Sequence, residues 1–109
     1  MTSKESILLA VRTSAKKKLL FLPNAVLQMS RLERMINTKE VRQVVQTGEN
    51  IEDYPDDERG HSCLMLGQGE NGRSLHIVCA PKKDYLAIIT AYIPSAQDWK
   101  NKFRERKNL

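Results

Sequence analysis

Two apolar runs near the C-terminal end of the chain, joined by a short polar loop, constrain the fold more than any other feature. Residues 73–80 and 85–94 are rich in isoleucine, valine, alanine and tyrosine, and Pro81–Asp84 separates them. β-branched and aromatic residues favour strands, and so short a loop allows two strands to pair antiparallel. The pattern predicts a β-hairpin, so the fold must include an antiparallel sheet.

The rest of the sequence predicts helices before this hairpin and further strands beside it. Asn37 and Glu40 have the spacing of a capping box, which marks a helix start. Leu19–Leu22 is apolar and ends at Pro23, and it fits a short strand as well as the end of a helix. The predicted elements are helices over Ser3–Lys17, Asn24–Arg34 and Thr38–Gln46, strands over Asn50–Tyr54 and His61–Leu66, the hairpin, and a C-terminal helix from Pro94 that carries Trp99 and Phe103.

This order of elements predicts an α+β fold, in which N-terminal helices precede a four-stranded antiparallel sheet and a C-terminal helix. A chain of 109 residues is expected to form a single domain over residues 1–109. No apolar run approaches the roughly 20 residues that span a bilayer, and the N-terminus lacks the pattern of a secretory signal. We therefore expect a cytoplasmic protein without a membrane partner, in which Cys63 and Cys79 are buried thiols.

The net charge of +5 is distributed unevenly along the chain. Residues 1–18 and residues 99–109 each contain five cationic side chains and one glutamate, whereas residues 49–58 contain six carboxylates. If the two ends share a face, their field suits a polyanion. The alternative is that both ends are solvated helix faces without a ligand.

Strand alternation places three polar side chains on one face of the predicted hairpin. His76 points to the same side as Val78, and Thr90 shares a face with Tyr92. A five-residue loop, Pro81–Tyr85, would set His76 opposite Thr90 with Tyr92 diagonal to it, whereas a four-residue loop would shift the register and separate them. The structural interpretation is a sheet histidine that hydrogen-bonds Thr90.

The same strand alternation argues against a metal site. His61, Cys63, His76 and Cys79 are residue types that bind zinc. His76 and Cys79 lie an odd number of residues apart on one strand, so they face opposite sides of the sheet. We therefore predict neither a metal nor another cofactor.

Four segments of the chain resemble a widespread bacterial family of small domains. They are Asn50–Asp57, Arg59–Gly67, Arg73–Lys82 and Ile88–Pro94, within a resemblance that runs from about Leu20 to Lys107. That family, a domain of unknown function, is grouped with RelE- and BrnT-like toxins of the barnase/EndoU/colicin/RelE nuclease fold. The resemblance implies a metal-independent ribonuclease toxin of a type II toxin–antitoxin system. Its implied partners are RNA, either free mRNA or mRNA on the ribosome, and a small zinc-finger or repressor-like antitoxin.

One position departs from the family pattern. The family has a histidine–alanine pair where this chain has Asn24 and Ala25. An amide does not titrate, so Asn24 cannot replace an acid or base. Either this chain is an inactivated form, or that histidine is not essential and Asn24 stabilises the start of a helix.

Cleavage without a metal needs a base for the 2′-hydroxyl, an acid for the leaving oxygen and cations for the phosphate. His76 and Tyr92 are the central candidates, with Thr90 beside them and His61 as a lower-ranked imidazole. A non-catalytic RNA- or ribosome-binding domain and a protein-interaction module are the alternative functions. The candidate phosphate-binding residues are Arg31, Arg73, Lys82, Arg104 and Arg106.

Overall fold

A five-stranded mixed sheet forms the centre of the computed structural model, which describes residues 3–107. Its strands are β1 (Leu19–Phe21), β2 (Glu49–Tyr54), β3 (Ser62–Gln68), β4 (Ser74–Pro81) and β5 (Leu86–Tyr92). They lie in the order β1-β5-β4-β3-β2, and only β1 runs parallel to its neighbour. The α+β class is confirmed, but the prediction of a four-stranded, fully antiparallel sheet is wrong. The additional strand is the apolar run before Pro23, whose partner β5 is too distant in sequence for local signals to specify.

Three helices cover one face of this sheet. They are α1 (Ser3–Lys17), α2 (Pro23–Met29) and α3 (Thr38–Thr47), and no helix within residues 3–107 is long and apolar enough to cross a membrane. Removing apolar side chains from water between the helices and the sheet is the main stabilising contribution here. The core of this layer includes Ile7, Val11, Ala25, Met29, Val41, Val44, Val45, Met65, Ile77 and Ile88.

The predicted capping box begins α3. The Asn37 side-chain oxygen accepts the Glu40 N–H at 2.9 Å, and Glu40 accepts the Asn37 N–H at 3.1 Å. Each side chain therefore satisfies a backbone donor that the first turn leaves unpaired. Gly48 ends the helix, as predicted.

Helix α2 is shorter than the predicted Asn24–Arg34 and ends at Met29. The Ser30 hydroxyl donates to the Val26 carbonyl at 2.7 Å, and the Ile36 N–H donates to the Met29 carbonyl at 3.0 Å. The last carbonyls of α2 are thus used by a turn that folds the chain back, so the helix cannot continue.

The predicted C-terminal helix is wrong, because this segment forms a second, small hairpin. Strand β6 (Trp99–Lys100) pairs antiparallel with β7 (Glu105–Arg106), and we call residues 99–106 the cover hairpin. Residues 101, 102 and 103 in its turn have φ angles of 52°, 55° and 71°. Such left-handed angles are incompatible with a right-handed helix, so Trp99 and Phe103 do not share a helix face.

The register of β4 and β5 differs from the predicted one. Pro81 pairs with Leu86, which shortens the loop, and a bulge at Ile89 adds one residue to β5. His76 therefore lies directly opposite Tyr92, whereas Thr90 lies opposite Val78. The bulge compensates for the shorter loop and keeps His76 and Tyr92 on the same face.

Candidate functional site

His76 lies fully buried on the face of the sheet that the helices leave uncovered. Its Nε2 is 2.9 Å from the Phe103 carbonyl oxygen, and its Nδ1 is 3.1 Å from the Tyr92 hydroxyl. A carbonyl can only accept, so Nε2 carries the proton and the neutral ring accepts the Tyr92 O–H at Nδ1. The contacts thus assign the tautomer.

Burial lowers the pKa of His76, and this outweighs the opposing effects of the Phe103 carbonyl and of the Glu52 charge. His76 is therefore neutral at pH 7. A neutral imidazole has one ring nitrogen without a proton, which is the form a general base requires; here that nitrogen is Nδ1, which accepts the Tyr92 O–H.

The cover hairpin seals His76 from solvent. The Trp99 ring stands edge-on to the imidazole at 4.4 Å between centroids, and the Arg106 guanidinium lies 4.8 Å from the centre of the Trp99 ring. Arg106 also binds both carboxylate oxygens of Glu52 at 2.9 Å. These contacts stack an imidazole, an indole and a guanidinium above the sheet.

Of the three polar residues predicted to converge, the structure brings two into contact. Tyr92 hydrogen-bonds His76, and burial raises the pKa of the Tyr92 hydroxyl. Thr90 is half-buried and lies opposite Val78, two residues before Tyr92 on β5, so its predicted place opposite His76 is wrong. Asn24 is exposed near the start of α2, and the hydrogen bonds described within residues 3–107 do not join it to His76.

Arg73, predicted to contact phosphate, is used inside the protein. It binds both oxygens of Glu40, at 2.7 and 2.9 Å, and donates to the Arg34 carbonyl at 2.7 Å. The Glu40 side chain is only 1% exposed. A buried carboxylate needs such a partner, so Arg73 is a structural cation rather than a free one.

The other four predicted phosphate ligands also have partners within the chain. Arg104 pairs with Glu49 at 2.6 Å, and Arg106 pairs with Glu52. Arg31 lies 3.7 Å from Glu33, and the Lys82 ammonium donates to the Arg59 carbonyl. The acidic strand β2 therefore pairs with both arginines of the cover hairpin.

An open cleft of about 640 Å³ lies beside His76, between α3, the sheet and the turn of the cover hairpin. Phe103 connects the cleft to His76, because it lines the cleft and its carbonyl binds the imidazole. Most of the residues that line the cleft were not predicted from the sequence. Lys102 could have been identified, because it lies within the cationic tail. The polar and charged lining residues are Gln43, Thr47, Glu49, Gln68, Ser74, Lys102 and Arg104. Amides, hydroxyls and cations are the groups that bind phosphates and base edges.

The other two candidate groups lie apart from the cleft. His61 hydrogen-bonds Asp53, and Cys63 lies opposite Cys79 as a buried free thiol pair. The neighbouring Cys63 thiol raises the pKa of Cys79, and burial raises it further. Within residues 3–107 no group of three or more histidines, cysteines or carboxylates has the geometry to hold a metal ion.

Comparison with models of known protein families identifies a match. The model of the family described as a domain of unknown function (DUF4258) matches residues 21–93, about two thirds of the chain. The match includes Asn24, His76 and Tyr92 but not α1 or the cover hairpin. No curated protein and no solved structure matches the chain.

Proposed function

The chain belongs to the DUF4258 family, whose description carries no function, and we propose that this member is a metal-independent endoribonuclease of the RelE-like toxin type. It acts in the cytoplasm as the toxin of a type II toxin–antitoxin system and is neutralised by a small zinc-finger or repressor-like antitoxin. The four segments that resemble a family grouped with such toxins support this proposal. The observation that carries the activity is a neutral imidazole, hydrogen-bonded to a phenol, beside a polar cleft.

In the proposed reaction the RNA strand lies in the cleft, with a phosphate near Lys102 and Arg104. His76 takes the proton of the 2′-hydroxyl, the 2′-oxygen bonds to phosphorus, and the bond from phosphorus to the 5′-oxygen breaks. The products are a 2′,3′-cyclic phosphate and a 5′-hydroxyl. Cations beside the phosphate stabilise the negative charge that accumulates in the transition state.

Access to His76 requires the turn of the cover hairpin to move. In the proposed open form the Phe103 carbonyl has left Nε2 and the ring proton moves to Nδ1. The Nδ1–H then donates to the Tyr92 oxygen, and the unprotonated Nε2 acts as the base. Arg104 must likewise exchange Glu49 for an RNA phosphate. The leaving oxygen takes its proton from water, because Asn24 cannot supply one. We therefore expect slow cleavage by the natural chain.

The burial of His76 favours a second candidate, a non-catalytic RNA-binding domain on the same fold. His76 is fully buried with both ring nitrogens occupied, and the family's histidine position holds an amide. In that case the cleft binds RNA without cutting it.

Asn24→His tests cleavage directly, with Asn24→Gln as the matched control for a changed side chain at this exposed site. We expect Asn24→His to accelerate cleavage of a single-stranded RNA in EDTA by about 100-fold, which is the usual contribution of a positioned acid or base. Asn24→Gln should match the natural chain. The readout is the amount of product that ends in a 2′,3′-cyclic phosphate.

Tyr92→Phe in the Asn24→His background should slow cleavage about tenfold, because the phenol that orients the imidazole is lost. RNA that binds every variant but is cut by none would establish the non-catalytic candidate. If the folded natural chain binds no RNA at all, both candidates are excluded.

A further inference from the structure

Five lysines from two distant parts of the chain meet at one end of the molecule. Lys16, Lys17 and Lys18 come from the end of α1, and Lys82 and Lys83 from the loop between β4 and β5. We call these five residues the lysine pole. All are exposed except Lys82, which is half-buried.

Three hydrogen bonds hold the two parts together. The Ser14 hydroxyl donates to the Lys82 carbonyl at 2.7 Å, and the Lys17 ammonium donates to the Lys83 carbonyl at 2.8 Å. The Leu86 N–H donates to the Lys18 carbonyl at 2.8 Å. The positive charges are therefore brought together by the fold and not by a flexible tail.

The lysine pole differs from the cleft in how its charge is balanced. The arginines of the cover hairpin pair with Glu49 and Glu52, whereas the ion pairs described for residues 3–107 include none of the five lysines. Asp84 is the carboxylate of the same loop. The acidic turn that holds Glu58 contacts the lysine pole at Lys82, whose ammonium donates to the Arg59 carbonyl. The four exposed lysines repel one another and attract a polyanion.

The lysine pole and the cleft lie at opposite ends of β4. Ser74 lines the cleft at the start of this strand, and Lys82 follows its last residue. The eight residue steps from Ser74 to Lys82 therefore span roughly 26 Å along an extended strand. Phosphates of one strand of a DNA duplex repeat about every 3.4 Å along its axis, and those of the more compact A-form RNA duplex repeat more closely, so roughly nine base pairs reach from one end to the other.

We propose that the lysine pole binds the phosphate backbone of structured RNA, independently of sequence, while the cleft receives the strand. This inference rests on the proposed function, because it takes RNA as the ligand. Lysine ammonium groups act as point charges toward phosphates and read no base edges. Most of the electrostatic affinity for long RNA then comes from the lysine pole, since the hairpin arginines are already paired.

The test compares two triple variants that remove the same charge. One is Lys16→Gln, Lys18→Gln and Lys83→Gln in the lysine pole; the control is Lys4→Gln, Lys39→Gln and Lys107→Gln elsewhere. Affinity is measured by fluorescence anisotropy between 50 and 200 mM salt, for a stem-loop of about 12 base pairs and for a tetranucleotide. Counterion release makes the slope of log K against log salt a count of phosphate contacts.

We expect the lysine-pole variant to reduce the stem-loop slope by about 2 and the control to change it by less than about 1. Tetranucleotide binding should be the same in both, because so short an RNA fills the cleft without reaching the lysine pole. Equal losses in the two variants would overturn the inference while leaving the proposed function intact. If the lysine-pole variant loses only its binding to phosphatidylserine vesicles and keeps its RNA binding, the inference is likewise overturned and the proposed function stays intact. Failure of the natural chain to bind either RNA would remove the proposed function as well.

Discussion

At the scale of single residues, Glu40 connects three parts of the chain. Its carboxylate accepts the N–H groups of Asn37 and Glu70 as well as the Arg73 guanidinium. Gly69 allows this approach, because a Cβ there would collide with the carboxylate and with Leu75. Burial acts to raise the pKa of Glu40, but hydrogen bonds from Arg73, Glu70 and Asn37 together hold it below its ordinary value.

Glu40→Gln should lower the free energy of unfolding by about 2 kcal/mol at pH 7, since it removes one partner of a buried pair whose arginine is partly exposed. The folded carboxylate binds protons less readily than the unfolded one. Its contribution is therefore complete above about pH 5 and is lost as pH falls through the unfolded value of about 4.3 toward the folded pKa. Urea denaturation between pH 3 and 7 measures both effects.

The control is Glu33→Gln, which makes the same charge change at a side chain that is 66% exposed. It should stay within about 0.5 kcal/mol of the natural chain. A Glu40→Gln protein as stable as this control at every pH would contradict the structural role of the pair.

His76 combines a structural and a candidate catalytic position. The structural interpretation, a hydrogen-bonded sheet histidine, describes its contacts, although the partner is Tyr92 and not Thr90. The same contacts hold the imidazole neutral and oriented. Both roles therefore depend on the same geometry, and only the position of the cover hairpin distinguishes them.

At the scale of elements, the cover hairpin is the least regular part of the described chain. Three consecutive non-glycine residues in the left-handed region cost about 1 kcal/mol each. Burial of Trp99, the Arg106–Glu52 pair and the His76–Phe103 hydrogen bond oppose that cost. The hairpin should therefore open locally before the sheet unfolds.

Arg106→Ala should increase this opening. The bidentate pair with Glu52 is partly exposed and contributes about 1 kcal/mol, so its loss raises the open population roughly fivefold. Trp99 is the single tryptophan, so acrylamide quenching of its fluorescence reports the opening. Lys100→Ala removes one charge from the same hairpin and should leave quenching unchanged. Equal quenching in the natural chain and the Arg106→Ala variant would show that Arg106 does not hold the hairpin.

At the scale of the whole molecule, the sheet is covered on one face by helices and partly covered on the other. The helices cover one face, and the cover hairpin closes part of the other over His76. Cys63 and Cys79 lie opposite each other in central strands and have no exposed surface. Their thiols therefore sample solvent only when the sheet itself opens.

Both thiols should resist a disulfide reagent such as Ellman's reagent in the native protein and react on unfolding. The thiolate is the reactive form, and burial together with the raised pKa of Cys79 suppresses it. For a domain with at least about 5 kcal/mol of stability, we expect the native reaction to be at least a thousandfold slower than in urea. Prompt reaction of one thiol would show that β3 and β4 open without global unfolding.

The sequence alone determined those features that depend on residues close together in the chain. Capping at Asn37 and Glu40, the apolar stripe of α3 and the strands β4 and β5 follow from propensity and periodicity within a few residues. Strand alternation combined with a five-residue loop also predicted His76 and Tyr92 on one face. The bulge at Ile89 preserved that result despite a shorter loop.

Only the tertiary structure decided which distant segments became partners. The parallel pairing of β1 with β5, the cover hairpin over His76, the arginine–glutamate pairs and the lysine pole all join residues far apart in the chain. The charge and hydrophobicity of a side chain indicate what it can bind, but not which neighbour it contacts in the folded protein. That choice depends on how the whole chain packs around the sheet, because a contact forms only where the backbone brings two groups together.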